Sequence, residues 1–345
     1  MSWTRLLTSK LRPILALIGV FYLFTLAVSL LHYVNEPEQQ QEIVQPNDRP
    51  ARPRNDTSPP DIQVDNRLLR YNGTLHLYTI NNKPIIWVYW SSADKIPLII
   101  RLLLGSVVCH NIDVAHVQPL NTQTMHKWLP HVHPAVKHLI PAHQADYVRI
   151  KVLDEYGGIY LDADTIGLSD FSELMFHLRY YPYVSHTWSS YKEQLSMGAL
   201  GPFRAQSELT RRAITKYNML LDDKFTEQLL RQSSQPIKDT LDWIEFGMIT
   251  LQTIDRIKTR SDFEFYSVFG ETTVAQITRI YAQPLRFTFN LTVTPVLYIL
   301  SPGYKPLVNM TNLDEIFDKD MVFIEVLAKA YQRCESKKKQ PDSAR

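Results

Sequence analysis

The chain has 345 residues, of which 45% are hydrophobic and 21% are charged, and its formal net charge is +2 at pH 7. This length and apolar content suffice for one large domain or two smaller ones with a buried core. The basic residues form no continuous stripe, so the composition argues against nucleic acid as a partner. The 2 cysteines, Cys109 and Cys334, exclude a disulfide framework and leave open a single bridge between them.

An uncharged apolar run begins at Ile14 and extends to Val34 if His32 is tolerated. A bilayer-spanning helix needs about 20 such residues. Basic residues precede the run and acidic residues follow it, namely Arg5, Lys10 and Arg12 before it and Glu36, Glu38 and Glu42 after it. This asymmetry predicts a cytosolic tail over 1–13, a transmembrane signal-anchor over 14–34 and a single-pass type II topology with the remainder luminal. A cleavable signal peptide is the alternative, although the run exceeds the usual h-region.

Residues 35–66 are rich in Pro, Gln, Asn, Asp and Arg and poor in large apolar side chains. Such a segment buries too little apolar surface to fold, so we predict a flexible stem. The last residues, 336–345, carry a lysine run and are predicted to form a basic disordered tail. Four acceptor sequons for N-glycosylation agree with a luminal body, and they begin at Asn55, Asn72, Asn290 and Asn309.

The predicted folded domain covers 67–335. Its first half reads as a strand at 84–90, a helix at 95–108, a strand at 112–117, helices at 134–140 and 143–156, and a strand at 159–161. Further helices are predicted at 204–221 and 241–257, and further strands at 263–268, 287–293 and 321–326. The strand–helix–strand order predicts an α/β fold with parallel pairing.

The strand at 159–161 leads directly into two carboxylates, Asp162 and Asp164, which are separated by one residue. Carboxylate oxygens suit a hard divalent cation such as Mg²⁺ or Mn²⁺, which would in turn hold a diphosphate. Upstream, Asp146 and Arg149 lie three apart in a helical stretch, so they share one face and can address a polyhydroxylated ligand together. A cation, a diphosphate and a hydroxyl-rich ligand together indicate a nucleotide sugar.

These residues carry a family resemblance. The run Gly157-Gly158-Ile159-Tyr160-Leu161-Asp162-Ala163-Asp164, the preceding Asp146-x-x-Arg149 and the opening Ile85-Ile86-Trp87-Val88-Tyr89-Trp90 resemble the DXD glycosyltransferases. The chain is most similar to the capsular polysaccharide synthesis proteins and to glycosyltransferase family 32, whose fungal members are Golgi mannosyltransferases. The resemblance implies a GT-A fold, a Rossmann-like mixed sheet with flanking helices, behind the single N-terminal transmembrane helix. It also implies a nucleotide-sugar donor, a divalent metal (Mn²⁺ or Mg²⁺) and retention of anomeric configuration.

The resemblance also assigns roles to particular residues. Asp164 would ligate the metal, and Asp162 would contact the donor ribose and support the metal shell. Asp146 and Arg149 would hydrogen-bond the sugar hydroxyls. Trp90, together with Trp87, would line the nucleobase pocket, and Tyr160 within the motif is a further candidate for substrate binding. The expected protein is a hexosyltransferase of the Golgi membrane that acts on a glycan, glycolipid or protein acceptor.

Other interpretations stay open at this point. The run Ile159–Thr165 also fits the aspartyl-phosphate signature of haloacid-dehalogenase-like phosphatases, with Asp162 as nucleophile and Asp222-Asp223 as a downstream metal pair. A catalytically inactive, membrane-tethered protein that binds sugar nucleotides is a second alternative. Trp87 and Trp90 could be core residues, and Asp146 with Arg149 could be a surface ion pair. A histidine cluster is read as surface or helix-edge residues in preference to a zinc site, and it comprises His131, His133, His138 and His143.

Overall fold

The computed structural model describes residues 62–64, 77–92, 94–177, 183–188, 191–231, 246, 249–250, 253, 266–269, 296–298, 304–319 and 321–338. The chain divides into two units, Met1–Ser58 and Pro59–Arg345, and all described residues belong to the second. Among the described residues no helix has both the length and the apolar character needed to cross a bilayer. The predicted anchor, most of the stem and the sequons at Asn55, Asn72 and Asn290 lie outside these residues.

The described part of the chain contains one large mixed sheet and a small two-stranded one. The strands are β1 (Ile62–Val64), β2 (Tyr78–Ile80), β3 (Lys83–Tyr89), β4 (His116–Leu120), β5 (Gly158–Asp162), β6 (Thr165–Gly167), β7 (Tyr183–Trp188), β8 (Tyr191–Phe203), β9 (Tyr266–Phe269) and β10 (Val296–Tyr298). The 8-stranded sheet has the order β1-β2-β3-β5-β8-β7-β9, with β4 also paired to β3, and β6 pairs with β10 in the second sheet. The predicted α/β class is therefore confirmed as a mixed sheet.

Helices flank this sheet. They are α1 (Leu98–Asn111), α2 (Met125–Trp128), α3 (Pro141–Tyr156), α4 (Ser172–His177), α5 (Glu208–Arg231), α6 (Leu313–Phe317) and α7 (Val322–Lys338). Two short 3-10 helices span Pro134–His138 and Lys305–Leu307. The helix α3 packs against β3, β5 and α5, while α1 packs against β6 and α7.

The centre of the large sheet is parallel and buried on both faces. The strand β3 pairs in parallel with β4 and with β5, in the register that sets Tyr89 opposite Asp162. Residues Ile85–Tyr89 are buried, as expected for a continuous apolar run between helical layers. The carboxyl ends of β3 and β5 therefore meet at one edge of the sheet.

Several predicted elements are shifted or wrong. The strand predicted at 321–326 is the start of α7. Its buried residues recur every three or four positions, a helical spacing that the short apolar run concealed, and they are Phe323, Ile324, Val326, Leu327, Ala330, Tyr331 and Cys334. The strand β4 begins four residues later than predicted, because α1 continues to Asn111 and the carbonyl of Asn111 then accepts the turn N–H groups of Val114 and Ala115.

The predicted boundaries of the folded domain also differ from the observed elements. The strand β1 lies inside the predicted stem and pairs with β2, since strand pairing uses backbone groups that composition does not report. At the other end, α7 continues to Lys338, so the first residues of the predicted tail are helical.

A disulfide joins the two cysteines. Cys109 on α1 and Cys334 on α7 are bridged, with a Cα–Cα distance of 6.0 Å and a sequence separation of 225. Two further contacts hold the same pair of helices together: Tyr331 donates its hydroxyl to the carbonyl of Leu102 at 2.7 Å, and the His110 ring lies 3.0 Å from the carbonyl of Ala330. The helix α1 is in turn tied to β6, because Ser106 Oγ accepts the N–H of Gly167 at 2.8 Å.

Candidate active site

Two consecutive glycines set the turn between α3 and β5. Gly157 ends α3 with φ +70°, and its N–H donates to the carbonyl of Leu153; Gly158 follows with φ +91°. A Cβ on Gly157 would lie 2.5 Å from the carbonyl oxygen of Phe203, and one on Gly158 would collide with the carbonyl of Ile85. Glycine is therefore required at both positions, since it alone combines the left-handed backbone with this close approach. The turn lets α3 pack directly on the strand that delivers Asp162.

The candidate residues meet at the carboxyl edge of the sheet. Asp162 is the last residue of β5, and Asp164 lies in the turn between β5 and β6. Trp90 follows the end of β3, and its backbone N–H donates to the carbonyl of Leu120 at the end of β4. Ligands of open α/β sheets bind outside such carboxyl ends, which makes this edge the candidate site.

Arg149 links the two acidic motifs. Its Nη1 lies 3.2 Å from Asp146 Oδ1 and its Nη2 donates to Asp162 Oδ1 at 2.8 Å. The Arg149 side chain is only 5% exposed and its guanidinium lies 5.1 Å from the ring centroid of Tyr160. Burial alone would lower the pKa of Arg149, but the carboxylates of Asp162 and Asp146 raise it above its ordinary value. The pair of Asp146 and Arg149 is thus a buried bridge to Asp162, unlike a surface ion pair.

In the described part of the chain, no cation pairs with Asp164 as Arg149 pairs with Asp162. Burial and the negative charge of Asp162 raise the pKa of Asp164 to about 8. Among the described residues, Arg149 is the cation that Asp146, Asp162 and Asp164 share, so these described groups carry an excess of negative charge when all three carboxylates ionise. Such an excess is what a bound cation would neutralise.

Several buried polar atoms around this network lack hydrogen-bond partners within the described part of the chain. They are Asp146 Oδ2, Arg149 Nε and Thr165 Oγ1. Thr165 directly follows Asp164 and is fully buried. Leaving such a group unpaired costs about 1–3 kcal/mol, so a ligand that supplies the missing partners would be stabilised here.

Sequence reasoning missed one residue of the site, Tyr304. Burial, followed by the negative charges of Asp164 and Asp162, raises the pKa of Tyr304 to about 12, so the phenol lies within the field of both carboxylates. The strand β10 pairs with β6, with Tyr298 opposite Thr165, the residue after Asp164. No local motif marks Tyr304, so sequence patterns gave no sign of it.

The two tryptophans occupy different environments. Trp90 is half-buried at the sheet edge, whereas Trp87 is fully buried and donates its indole N–H to the carbonyl of Gly157 at 2.9 Å. The Trp87 ring also packs edge-on against Trp128, with centroids 5.1 Å apart. Trp87 is enclosed by Trp128 and Tyr156 and is therefore part of the core. Tyr160 is likewise fully buried, beneath Arg149.

The remaining candidates lie elsewhere. Asp222 on α5 is exposed and accepts from His133 at 2.9 Å. The described residues contain no group of three or more His, Cys, Asp or Glu side chains that would hold a metal, so neither the histidines nor Asp222 with Asp223 forms one with the motif carboxylates. The phosphatase interpretation gains no support from this arrangement. Asn309 and Thr311 of the fourth sequon are exposed.

The donor set at Asp162 and Asp164 nevertheless fits the divalent cation that the resemblance implies. Both groups are hard oxygen donors, and Mg²⁺-type sites commonly use one or two carboxylates together with substrate phosphates and water. A cage of three or more protein ligands is therefore not required. The raised pKa of Asp164 means that its ionised form is disfavoured without a ligand, and a cation bound beside it would favour that form.

Comparisons with known proteins bear on the family to which this part of the chain is similar. Residues 63–222 match the family model of the capsular polysaccharide synthesis proteins, a region that includes β3, α3, β5 and the two motif carboxylates. The resemblance to that family is confirmed over these residues, and it supports a glycosyltransferase in general. Among solved structures, the chain is similar to the PaToxG glycosyltransferase at 12% identity and a TM-score of 0.35, over 50% of this chain and 69% of that one. The comparison with curated proteins found no match.

Proposed function

We propose that this protein is a metal-dependent, retaining glycosyltransferase that moves a hexose from a nucleotide diphosphate sugar to a glycan, glycolipid or protein acceptor. The observation that carries the proposal is the buried Arg149, held between Asp146 and Asp162 beside the carboxyl of Asp164, which pairs with no cation among the described residues. A structural ion pair would need neither the third carboxylate nor the unpaired polar atoms that surround it.

Each residue has a task in this proposal. Asp164 and Asp162 hold Mn²⁺ or Mg²⁺, and the bound cation supplies Lewis-acid stabilisation of the departing diphosphate. Asp146 and Arg149, whose Oδ2 and Nε are unpaired among the described residues, are assigned to the hydroxyls of the donor sugar. Trp90 stacks on the nucleobase, and Tyr304 is a further residue of the donor site, because its phenol feels the charges of Asp164 and Asp162.

We further propose that the protein acts in the lumen of the Golgi, anchored by residues 14–34. The disulfide between Cys109 and Cys334 supports an oxidising compartment, since such bridges are rare in the cytosol. The exposed sequon at Asn309 is in keeping with it. A protease-protection assay on microsomes tests the topology: cleavage of the folded domain without detergent would contradict a luminal location.

The decisive experiment measures nucleoside diphosphate released by the purified full-length chain from a panel of UDP- and GDP-hexoses, with and without Mn²⁺. We expect metal-dependent release from one donor, lost in Asp164→Asn and kept in Asp222→Asn, a matched change at an exposed carboxylate away from the motif. NMR of the transferred sugar reports whether configuration is retained. Mn²⁺-dependent nucleotide binding without release would favour the inactive binding protein, and the absence of both binding and release would refute the proposal.

A further inference from the structure

One buried histidine has no part in the proposed donor contacts. His143 lies in the first turn of α3 and its side chain is 1% exposed. The sequence had suggested a surface or helix-edge residue, but the face of α3 that carries His143 also carries Asp146 and Arg149, one and two turns further on. His143 therefore belongs to the same buried row of polar side chains.

The His143 ring faces the Asp146 carboxylate. Its Nδ1 lies 3.6 Å from Asp146 Oδ2, while Asp146 Oδ1 is engaged by Arg149. At that distance the nitrogen interacts with the carboxylate electrostatically, and Oδ2 still has no hydrogen-bond partner among the described residues. Asp146 is thus bounded by a guanidinium on one oxygen and an imidazole on the other.

The orientation of the His143 ring is itself fixed by packing. Phe246 contacts the ring with centroids 5.0 Å apart and an interplanar angle of 61°, and Phe246 in turn packs against Tyr217 at 4.8 Å. Both aromatic residues are fully buried. A ring held in this way presents its Nδ1 to Asp146 in one orientation, which is the property that a supporting residue needs.

We propose that His143 is a positioning residue for the donor site: its Nδ1 faces Asp146 Oδ2 and holds the Asp146 carboxylate in the orientation in which Oδ1 retains Arg149. The proposal rests on the proposed function. The side chain of His143 would then have two roles: its Nδ1 orients Asp146, and its ring fills space beside Phe246.

Two substitutions separate these roles. His143→Asn keeps a nitrogen donor close to the place of Nδ1 and removes the ring, while His143→Phe keeps the ring and removes both nitrogens. With full-length protein and the UDP- or GDP-hexose that gives the highest rate, we expect kcat/KM to fall about 10-fold or more in His143→Phe and to be largely retained in His143→Asn. Affinity for the corresponding nucleoside diphosphate, which lacks the sugar, should change in neither variant. A higher kcat/KM in His143→Phe than in His143→Asn would overturn the proposal, because a side chain that only fills space is better replaced by Phe.

A second measurement does not depend on finding a donor. Urea unfolding of wild type, His143→Phe, Asp146→Asn and the double variant forms a double-mutant cycle. We expect the unfolding equilibrium constant of the double variant to depart from the product of the single effects by about 2-fold or more. Additive effects would overturn the inference even if the protein is an active transferase. Non-additive effects would support it even if the donor panel fails, so the two proposals can fail separately.

Discussion

Loss of the bridge between Cys109 and Cys334 is expected to destabilise the folded domain substantially. The bridge spans 225 positions, and the chain-entropy relation for a loop of that length gives about 18 cal/mol/K, or about 5 kcal/mol at 25 °C. This value is an upper figure, since measured losses are typically 2–5 kcal/mol. The contacts of Tyr331 with Leu102 and of His110 with Ala330 would still hold α7 on α1. Because domains are usually stable by only 5–15 kcal/mol, the effect would be a large share of the total.

The assay is urea unfolding, followed by tryptophan fluorescence, of wild type and of Cys109→Ser, Cys334→Ser and the double variant, each with and without dithiothreitol. Each single variant should lose about as much stability as the double variant, because either change removes the same bond. Dithiothreitol should lower the stability of wild type to that of the variants and leave the variants unchanged. If the reductant had no effect on wild type and the variants matched it, the two cysteines would not be bridged and the reasoning would be refuted.

Three further outcomes are expected. Asp164→Asn should stabilise the metal-free protein more at pH 8.5 than at pH 5. The folded pKa of this carboxyl is raised to about 8, so the wild type loses stability as the pH rises from about 4 to 8. Parallel pH profiles of wild type and variant in urea unfolding would contradict this. Tyr304→Phe should lower kcat/KM for the donor about 10-fold, by loss of a hydrogen bond to a charged group, with unfolding unchanged; equal kinetics would remove Tyr304 from the site. Trp90→Ala should weaken nucleoside diphosphate binding by about 1–3 kcal/mol, measured by titration, with little effect on unfolding. Trp87→Ala should instead lower the free energy of unfolding by about 3–5 kcal/mol. The opposite pattern would make Trp87 the ligand residue and Trp90 the core residue.

The sequence predicted best where local pattern and burial agree. The strand β3 is a continuous apolar run, and α3 ends at two glycines with positive φ, as helix ends often do, so both elements were predictable. The position of Asp162 at the end of β5 followed directly.

The rest depended on contacts between distant segments. The apolar run that opens α7 is short enough to suit a strand, and only its packing against α1 and its continuation past Cys334 select a helix. His143 has no local mark of burial, because the residue that covers it, Phe246, lies far along the chain. Tyr304 is coupled to Asp164 and Asp162 although it lies far from them in the sequence, and no local pattern marks it.

The bridge between α1 and α7 also imposes an order on biosynthesis. Cys334 lies 225 positions after Cys109, so the ribosome needs roughly 10–45 s at ordinary elongation rates to synthesise the partner of Cys109. During that interval its thiol is open to mixed disulfides with oxidoreductases, and β6, which α1 holds through Ser106, lacks the covalent closure behind it. The covalent link between α1 and α7 is therefore formed late, and a nascent chain stalled before Cys334 would carry the complete Asp162 and Asp164 motif without this link.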